Sequence, residues 1–302
     1  MKLSRRISQD LELDQNYVEY TALMSRKKHS RYFIPKKSGG YRRIHHPSPE
    51  LKVLQYWMVE NIFKYCKVSE YSSAYEVGCS IKKNAEVHKD SKHFLTMDFS
   101  NFFESISDSH LLSLLNDNID NIPFNIYDED KFFLKKVCLY NSHLVIGSVC
   151  SPRISNCVMY DFDIELMDIL NEYGDFKYTR YADDLTISSN QYIVPKVAHE
   201  VNKLAIKHGF KINDNKTNFS SPKNRRKVTG LIVDNGNITI GLNRKREIKS
   251  KLYNYLEKGE GNNEEILGLL YFLKDIEPGY FNKLIIKYSK YGNILKILKN
   301  PR

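Results

Sequence analysis

Two adjacent aspartates, Asp183 and Asp184, sit between segments that both read as β-strand. Lys177-Tyr178-Thr179-Arg180-Tyr181-Ala182 precedes them and Leu185-Thr186-Ile187-Ser188 follows. β-Branched and aromatic residues on both flanks predict a hairpin whose turn carries the acidic pair. At such a tip two like charges repel unless a cation neutralises them. Magnesium suits the place: it is hard, prefers oxygen, and takes one or two carboxylates plus substrate phosphates. An isolated Asp-Asp pair is more often an ordinary turn, so the rest of the chain must decide.

A third carboxylate supplies the first argument. His93-Phe94-Leu95-Thr96-Met97-Asp98-Phe99 reads as a mostly buried strand, and an unpaired Asp98 at its end would be costly. If that end meets the hairpin tip, three carboxylates converge and two metal ions fit about 3.5–4 Å apart. One would activate a hydroxyl, and the other would hold a triphosphate and its leaving pyrophosphate.

Around these strands the pattern alternates. Arg31 to Ile34 and Tyr41 to Ile44 flank a Lys37-Ser38-Gly39-Gly40 turn and predict a hairpin. Ser48 and Pro49 then start a helix carrying Leu51, Leu54, Met58 and Ile62 on one face. Leu111, Leu112 and Leu115 mark another helix. Asp128-Glu129-Asp130 reads as a solvated loop, and Arg153 to Leu170 as one continuous helix with Ile154, Val158, Phe162, Leu166 and Ile169 at helical spacing. Val194, Val197, Val201 and Leu204 mark a further helix, followed by a short strand pair near 228–240 and basic helices. This order predicts an α+β fold with a largely antiparallel sheet.

The chain is basic: 46 Lys+Arg against 36 Asp+Glu, a formal net charge of +10. Its basic residues are clustered. Arg26-Lys27-Lys28 leads into Tyr32 and Phe33; Lys216 to Lys227 contains no acid; neither does Phe281 to Arg302, with Lys283, Lys287, Lys290, Lys296 and Lys299. Such runs favour a polyphosphate partner through counterion release. Tyrosines in the basic tail supply rings on which unpaired bases can stack. Five cysteines, an odd number with no CxxC pair, argue against a zinc or disulfide framework and suit a reducing cytoplasm. No apolar run approaches the roughly 20 residues that span a bilayer, and the basic opening segment lacks a signal peptide's apolar run.

The order of short motifs then narrows the reading. Tyr181-Ala182-Asp183-Asp184 matches the YxDD signature of reverse transcriptases, and Asp98-Phe99-Ser100-Asn101-Phe102-Phe103 resembles their first catalytic motif. Gly147-Ser148-Val149-Cys150-Ser151-Pro152 resembles the segment written QGxxxSP, with Ile146 where glutamine is expected. Gly209 to Asn213, followed by Lys216-Thr217, resembles the next motif. Asn84-Ala85-Glu86-Val87-His88 and Val228-Thr229-Gly230 fit the NAxxH and VTG signatures of bacterial retron reverse transcriptases, which the chain resembles more narrowly.

That resemblance implies a right-hand polymerase: an N-terminal segment and fingers over 1–92, a palm of antiparallel sheet and packed helices over 93–225 with a finger-type insertion around 116–145, and a helical, basic thumb over 226–302. It implies two Mg²⁺ ions on Asp98, Asp183 and Asp184, helped by the Phe99 carbonyl. It places Lys36 or Lys37, Arg42 and Gly147 near the incoming deoxynucleoside triphosphate, and Phe103 as the gate against a ribose 2′-hydroxyl. Lys216 would steady the triphosphate or protonate pyrophosphate. Asn84, His88, Arg225, Arg226, Lys227, Lys283, Lys287 and Lys290 would contact RNA. The implied partners are a structured non-coding RNA serving as template and primer, its single-stranded DNA product, branched from an RNA 2′-hydroxyl, and an effector protein acting in antiphage defence. Another stand-alone bacterial reverse transcriptase, intron-derived or of the abortive-infection type, and a non-catalytic RNA-binding scaffold remain as alternatives.

Overall fold

The computed structural model describes residues 1–36 and 39–291. Among them nine strands run in chain order: β1 His29–Pro35, β2 Tyr41–Pro47, β3 His93–Asp98, β4 Lys177–Tyr181, β5 Asp184–Ser189, β6 Asn218–Ser220, β7 Arg226–Val228, β8 Leu231–Asp234 and β9 Asn237–Thr239. They form sheets of order β1-β2, β4-β5-β3-β6 and β7-β8-β9. The pairs β1 with β2, β3 with β6, β7 with β8 and β8 with β9 are all antiparallel. The fold is α+β, as the sequence pattern predicts. The chain divides into two compact units, 1–79 with 97–185 and 194–217, and 80–96 with 186–193 and 218–291, so β3 and β5 each contribute to both.

In the first unit the helices Leu3–Asp10, Gln15–Leu23, Pro49–Asn61 and Asp128–Cys138 bury Leu3, Ile7, Val18, Leu51, Leu54, Met58, Leu134 and Val137. Gln55, almost fully buried, ties this layer together by donating to the Val137 carbonyl and accepting from the Val149 N–H. Asp128-Glu129-Asp130 is not a loop. It forms the first turn of its helix, where carboxylates favour the positive end of the helix dipole. Asp130 is buried because it accepts from the Tyr127 and Leu3 N–H groups, at 3.0 and 2.8 Å.

Two helices, Cys150–Val158 and Tyr160–Tyr173, replace the continuous one expected over 153–170. The chain bends at Met159, whose ψ of 4° leaves the helical region. Ile154, Phe162 and Leu166 remain buried on both sides of the break, which is why periodicity alone runs through it.

In the second unit β7, β8 and β9 pack with the helices Ile81–His88, Leu242–Lys258, Asn263–Ile276 and Pro278–Tyr288 around Phe94, Val233, Leu252, Leu270, Leu273 and Leu284. β8 and β9 are the pair expected near 228–240, and β7 adds a third strand to it.

Candidate active site

β3 delivers Asp98 at its last position, and β4 and β5 close a tight turn in which Ala182 adopts φ +57° and Asp183 follows. The two pieces are joined through the backbone: the Phe99 N–H donates to the Asp183 carbonyl at 3.1 Å. Below Asp98, the Asn213 N–H donates to the Asp98 carbonyl at 2.8 Å and the Ser100 N–H to that of Lys211 at 2.7 Å. The Phe99 ring anchors this floor, stacking on Phe102 at 5.5 Å and meeting Phe162 and Phe210. Asp98, Asp183 and Asp184, far apart in sequence, thus come together within the first unit.

Burial and mutual repulsion set the charge states of these groups. Loss of water and the neighbouring Asp98 charge raise the Asp183 carboxyl, opposed by Lys216 and Arg42. Asp184 keeps solvent access, yet desolvation, the Asp183 charge and a hydrogen bond shared with Asp98 push its pKa up to about 7. Lys216 reaches Asp98 with an N–O distance of 2.7 Å, and that bond raises the lysine pKa. Among the described residues no set of three His, Cys, Asp or Glu side chains is already spaced as a cation cage; the Lys216 ammonium supplies the positive charge at Asp98. The donor set nevertheless fits a hard divalent cation. It consists of crowded carboxylates, two of them held away from easy ionisation by burial and by a neighbouring carboxylate's charge, which a cation would relieve.

Around the carboxylates, Arg42 is exposed on β2 opposite Ile34 of β1. Lys36 is exposed at the base of the turn, and Lys37 lies outside the described residues. Gly147 has φ +106°, and a Cβ there would stand 2.7 Å from the His45 carbonyl oxygen. Only glycine permits so close an approach to β2. The neighbouring Ile146 gives up the side-chain donor of a glutamine, but its backbone carbonyl accepts the His45 N–H at 2.8 Å. Phe103 is half-buried on the one-turn helix Phe102–Ser105.

Several residues expected at an RNA surface lie inside the second unit. Asn84 and His88 are almost wholly buried. The Asn84 amide donates to Thr229 Oγ1 at 3.4 Å, so the two signatures NAxxH and VTG bond to each other. His88 Nδ1 lies 2.7 Å from Ser188 Oγ on β5, which in turn donates to Ser91. Arg226 is buried too, ion-paired with Asp234, donating to the Ser91 carbonyl and lying over the Phe94 ring. Direct RNA contact by these three is therefore corrected: all three are buried, with Asn84, His88 and both terminal guanidinium nitrogens of Arg226 bonded within the protein. Arg225, Lys227, Lys283, Lys287 and Lys290 are exposed, while Lys296, Lys299 and Arg302 lie outside the described residues. Lys287 and Lys290 line a cleft of about 440 Å³ with Arg246, Lys249, Tyr253 and Tyr288, where the Lys249 ammonium lowers the Lys287 pKa. Sequence reasoning missed Arg246 and Lys249; the run Arg244-Lys245-Arg246 was the signal that could have found them, although Glu247 follows it directly.

The class of protein this arrangement belongs to is fixed by comparison. Residues 34–233 match the family model described as reverse transcriptase (RNA-dependent DNA polymerase). The chain is 33% identical to the retron Ec83 reverse transcriptase of Escherichia coli, over 94% of this chain and 96% of that one. It is 33% identical to the retron Ec73 reverse transcriptase of the same organism, over 85% and 86%. A solved foamy viral protease-reverse transcriptase in complex with ds DNA aligns at TM-score 0.48 and 15% identity; 89% of this chain covers 39% of that one. The chain belongs to the retron reverse transcriptases and is an RNA-directed DNA polymerase. No helix among the described residues is long and apolar enough to cross a membrane.

Proposed function

We propose that this polymerase copies part of a structured non-coding RNA into single-stranded DNA, starting from a 2′-hydroxyl of that RNA and leaving a branched RNA–DNA product. Family membership supports the substrate class, and one observation carries the chemistry: the convergence of Asp98, Asp183 and Asp184 beneath the positive charges of Lys216 and Arg42.

Asp98, Asp183 and Asp184, with the Phe99 carbonyl, would hold two magnesium ions. When bound, such a pair lowers the pKa of the attacking hydroxyl and neutralises charge on the phosphates. The residues do the rest. Arg42 and Lys36 bind the triphosphate, a role that Lys37 shares in this reading. Phe103 fills the space a ribose 2′-hydroxyl would need, which selects deoxynucleotides. Lys216, freed from Asp98, holds the charge of the leaving pyrophosphate or gives it a proton. Gly147 keeps its segment against β2, so the nucleotide meets backbone rather than the missing glutamine.

Arg225, Lys227, Lys283, Lys287 and Lys290 form the phosphate-binding surface, and the tyrosines of the basic cleft stack on unpaired bases. In right-hand terms, 1–92 supplies the N-terminal segment and fingers, 93–225 the palm and 226–302 the thumb. An associated effector protein and a role in antiphage defence, in the cytoplasm, extend the same reading.

The test is to purify the protein from its host and sequence what co-purifies. One discrete RNA joined to short DNA is expected, and Asp183→Asn should yield the RNA without DNA. Heterogeneous RNA with no attached DNA would overturn the retron reading, and primer extension by Asp183→Asn at the wild-type rate would overturn the site.

A further inference from the structure

Arg180 precedes the catalytic turn by two residues, and the structure buries it completely. Its side chain and that of Asp163 are both 0% exposed. Arg180 Nε and Nη2 donate to the two Asp163 oxygens at 2.8 Å each, and the Tyr178 hydroxyl donates to Asp163 at 2.7 Å. The remaining nitrogen, Nη1, donates to Asn156 Oδ1 at 3.4 Å and to the Ala182 carbonyl at 3.2 Å. The Arg180 backbone is fixed as well, between Tyr71 and Ser73.

Burying two charges is expensive, and an apolar pair of similar volume often stabilises a fold as well. What an apolar pair cannot supply is the donor that reaches the Ala182 carbonyl. Ala182 needs it, because a left-handed backbone (φ +57°) strains a residue with a Cβ. The next residue is Asp183. We infer that Arg180, clamped by Asp163, is a positioning residue: it fixes the Ala182–Asp183 turn and thereby the place at which the Asp183 carboxylate is presented. The guanidinium fork does this and a lysine does not, since the three acceptors are met by three separate nitrogens, whereas an ammonium gathers its donors on one atom.

This rests on the reading of Asp183 as a metal ligand, and the experiment separates the two. In the full chain, Arg180→Lys is compared with Leu134→Ala, a core truncation on the helix Asp128–Cys138 that lowers the melting temperature without touching the turn. Arg180→Lys should lower kcat by about ten- to a hundredfold, as a small misplacement does, and leave the deoxynucleotide KM within about twofold. In the protein without substrates, it should raise severalfold the Mg²⁺ concentration that gives half of the metal-induced melting shift. Leu134→Ala should keep wild-type kcat and Mg²⁺ midpoint. Should Arg180→Lys fail to fold, the paired apolar change Arg180→Met with Asp163→Leu replaces it, with the same expectation. Wild-type kcat and Mg²⁺ midpoint in the folded variant would overturn the inference, as would equal losses in Leu134→Ala. If Asp183→Asn is inactive while Arg180→Lys behaves as wild type, the positioning role alone fails; if Asp183→Asn is active, the reading beneath it fails.

Discussion

Asp184 is ordinarily ionised at neutral pH, but here its pKa is about 7 against a usual 3.8. A carboxyl whose folded-state pKa is raised favours the folded protein fully below its unfolded pKa, and that contribution is lost as pH rises through the folded value. The metal-free protein is therefore penalised most above pH 7, where a divalent cation offers the greatest relief and displaces no proton. Stabilisation by Mg²⁺ should accordingly grow from about pH 5 to about pH 8, by less than about tenfold in apparent affinity per pH unit because solvent screens Asp184. Melting curves with and without MgCl₂ across this range check it, and a shift independent of pH would contradict it. Gly147 makes a second, purely steric case. Ala at this position meets the His45 carbonyl at 2.7 Å and a φ of +106°, whereas Ala at Gly259 meets a φ of +68° and open space. Gly147→Ala should cost about 1–3 kcal/mol, and clearly more than Gly259→Ala in denaturant titrations.

Among the elements, the strand-turn-strand carrying the acidic pair was readable because apolar, β-branched flanks leave only the tip for charge. The Asp98 strand was readable for the same reason. The bend at Met159 was not, since apolar spacing continues through it. Nor was Asp130, whose acidic neighbours suggest solvent while its partner, the Leu3 N–H, lies 127 residues away. His88 and Arg226 share that fate: a polar side chain in isolation suggests a ligand contact, and only the fold reveals a buried partner on another element. On the helix Ile81–His88 the difference can be measured. His88 links it to Ser188 of β5, so His88→Ala removes a buried hydrogen bond, leaves Ser188 only its bond to Ser91, opens a cavity and should cost about 1–3 kcal/mol. At temperatures well below the melting point, RNA affinity should stay near wild type. A variant with unchanged stability and lost affinity would restore direct contact.

At the scale of the whole molecule, a net charge of +10 could mean no more than solubility. The exposed Lys287 and Lys290 argue otherwise, because they stand beside Lys249, whose charge already disfavours the Lys287 ammonium. Like charges packed together this way raise the free energy of the protein alone, and an RNA phosphate lowers it. If both lysines contact phosphates, each contact releases counterions and contributes about 0.7–0.9 to the slope of log affinity against log salt. Replacing Lys287 and Lys290 by alanine should therefore flatten that slope by about 1.4–1.8. It should also weaken binding at low salt while leaving kcat on a saturating template-primer unchanged. Filter binding at a series of salt concentrations reads the slope directly. An unchanged slope would make the cleft a solvated patch and move the RNA-binding charge to Arg225, Lys227 and Lys283, whose variants would then carry the whole loss.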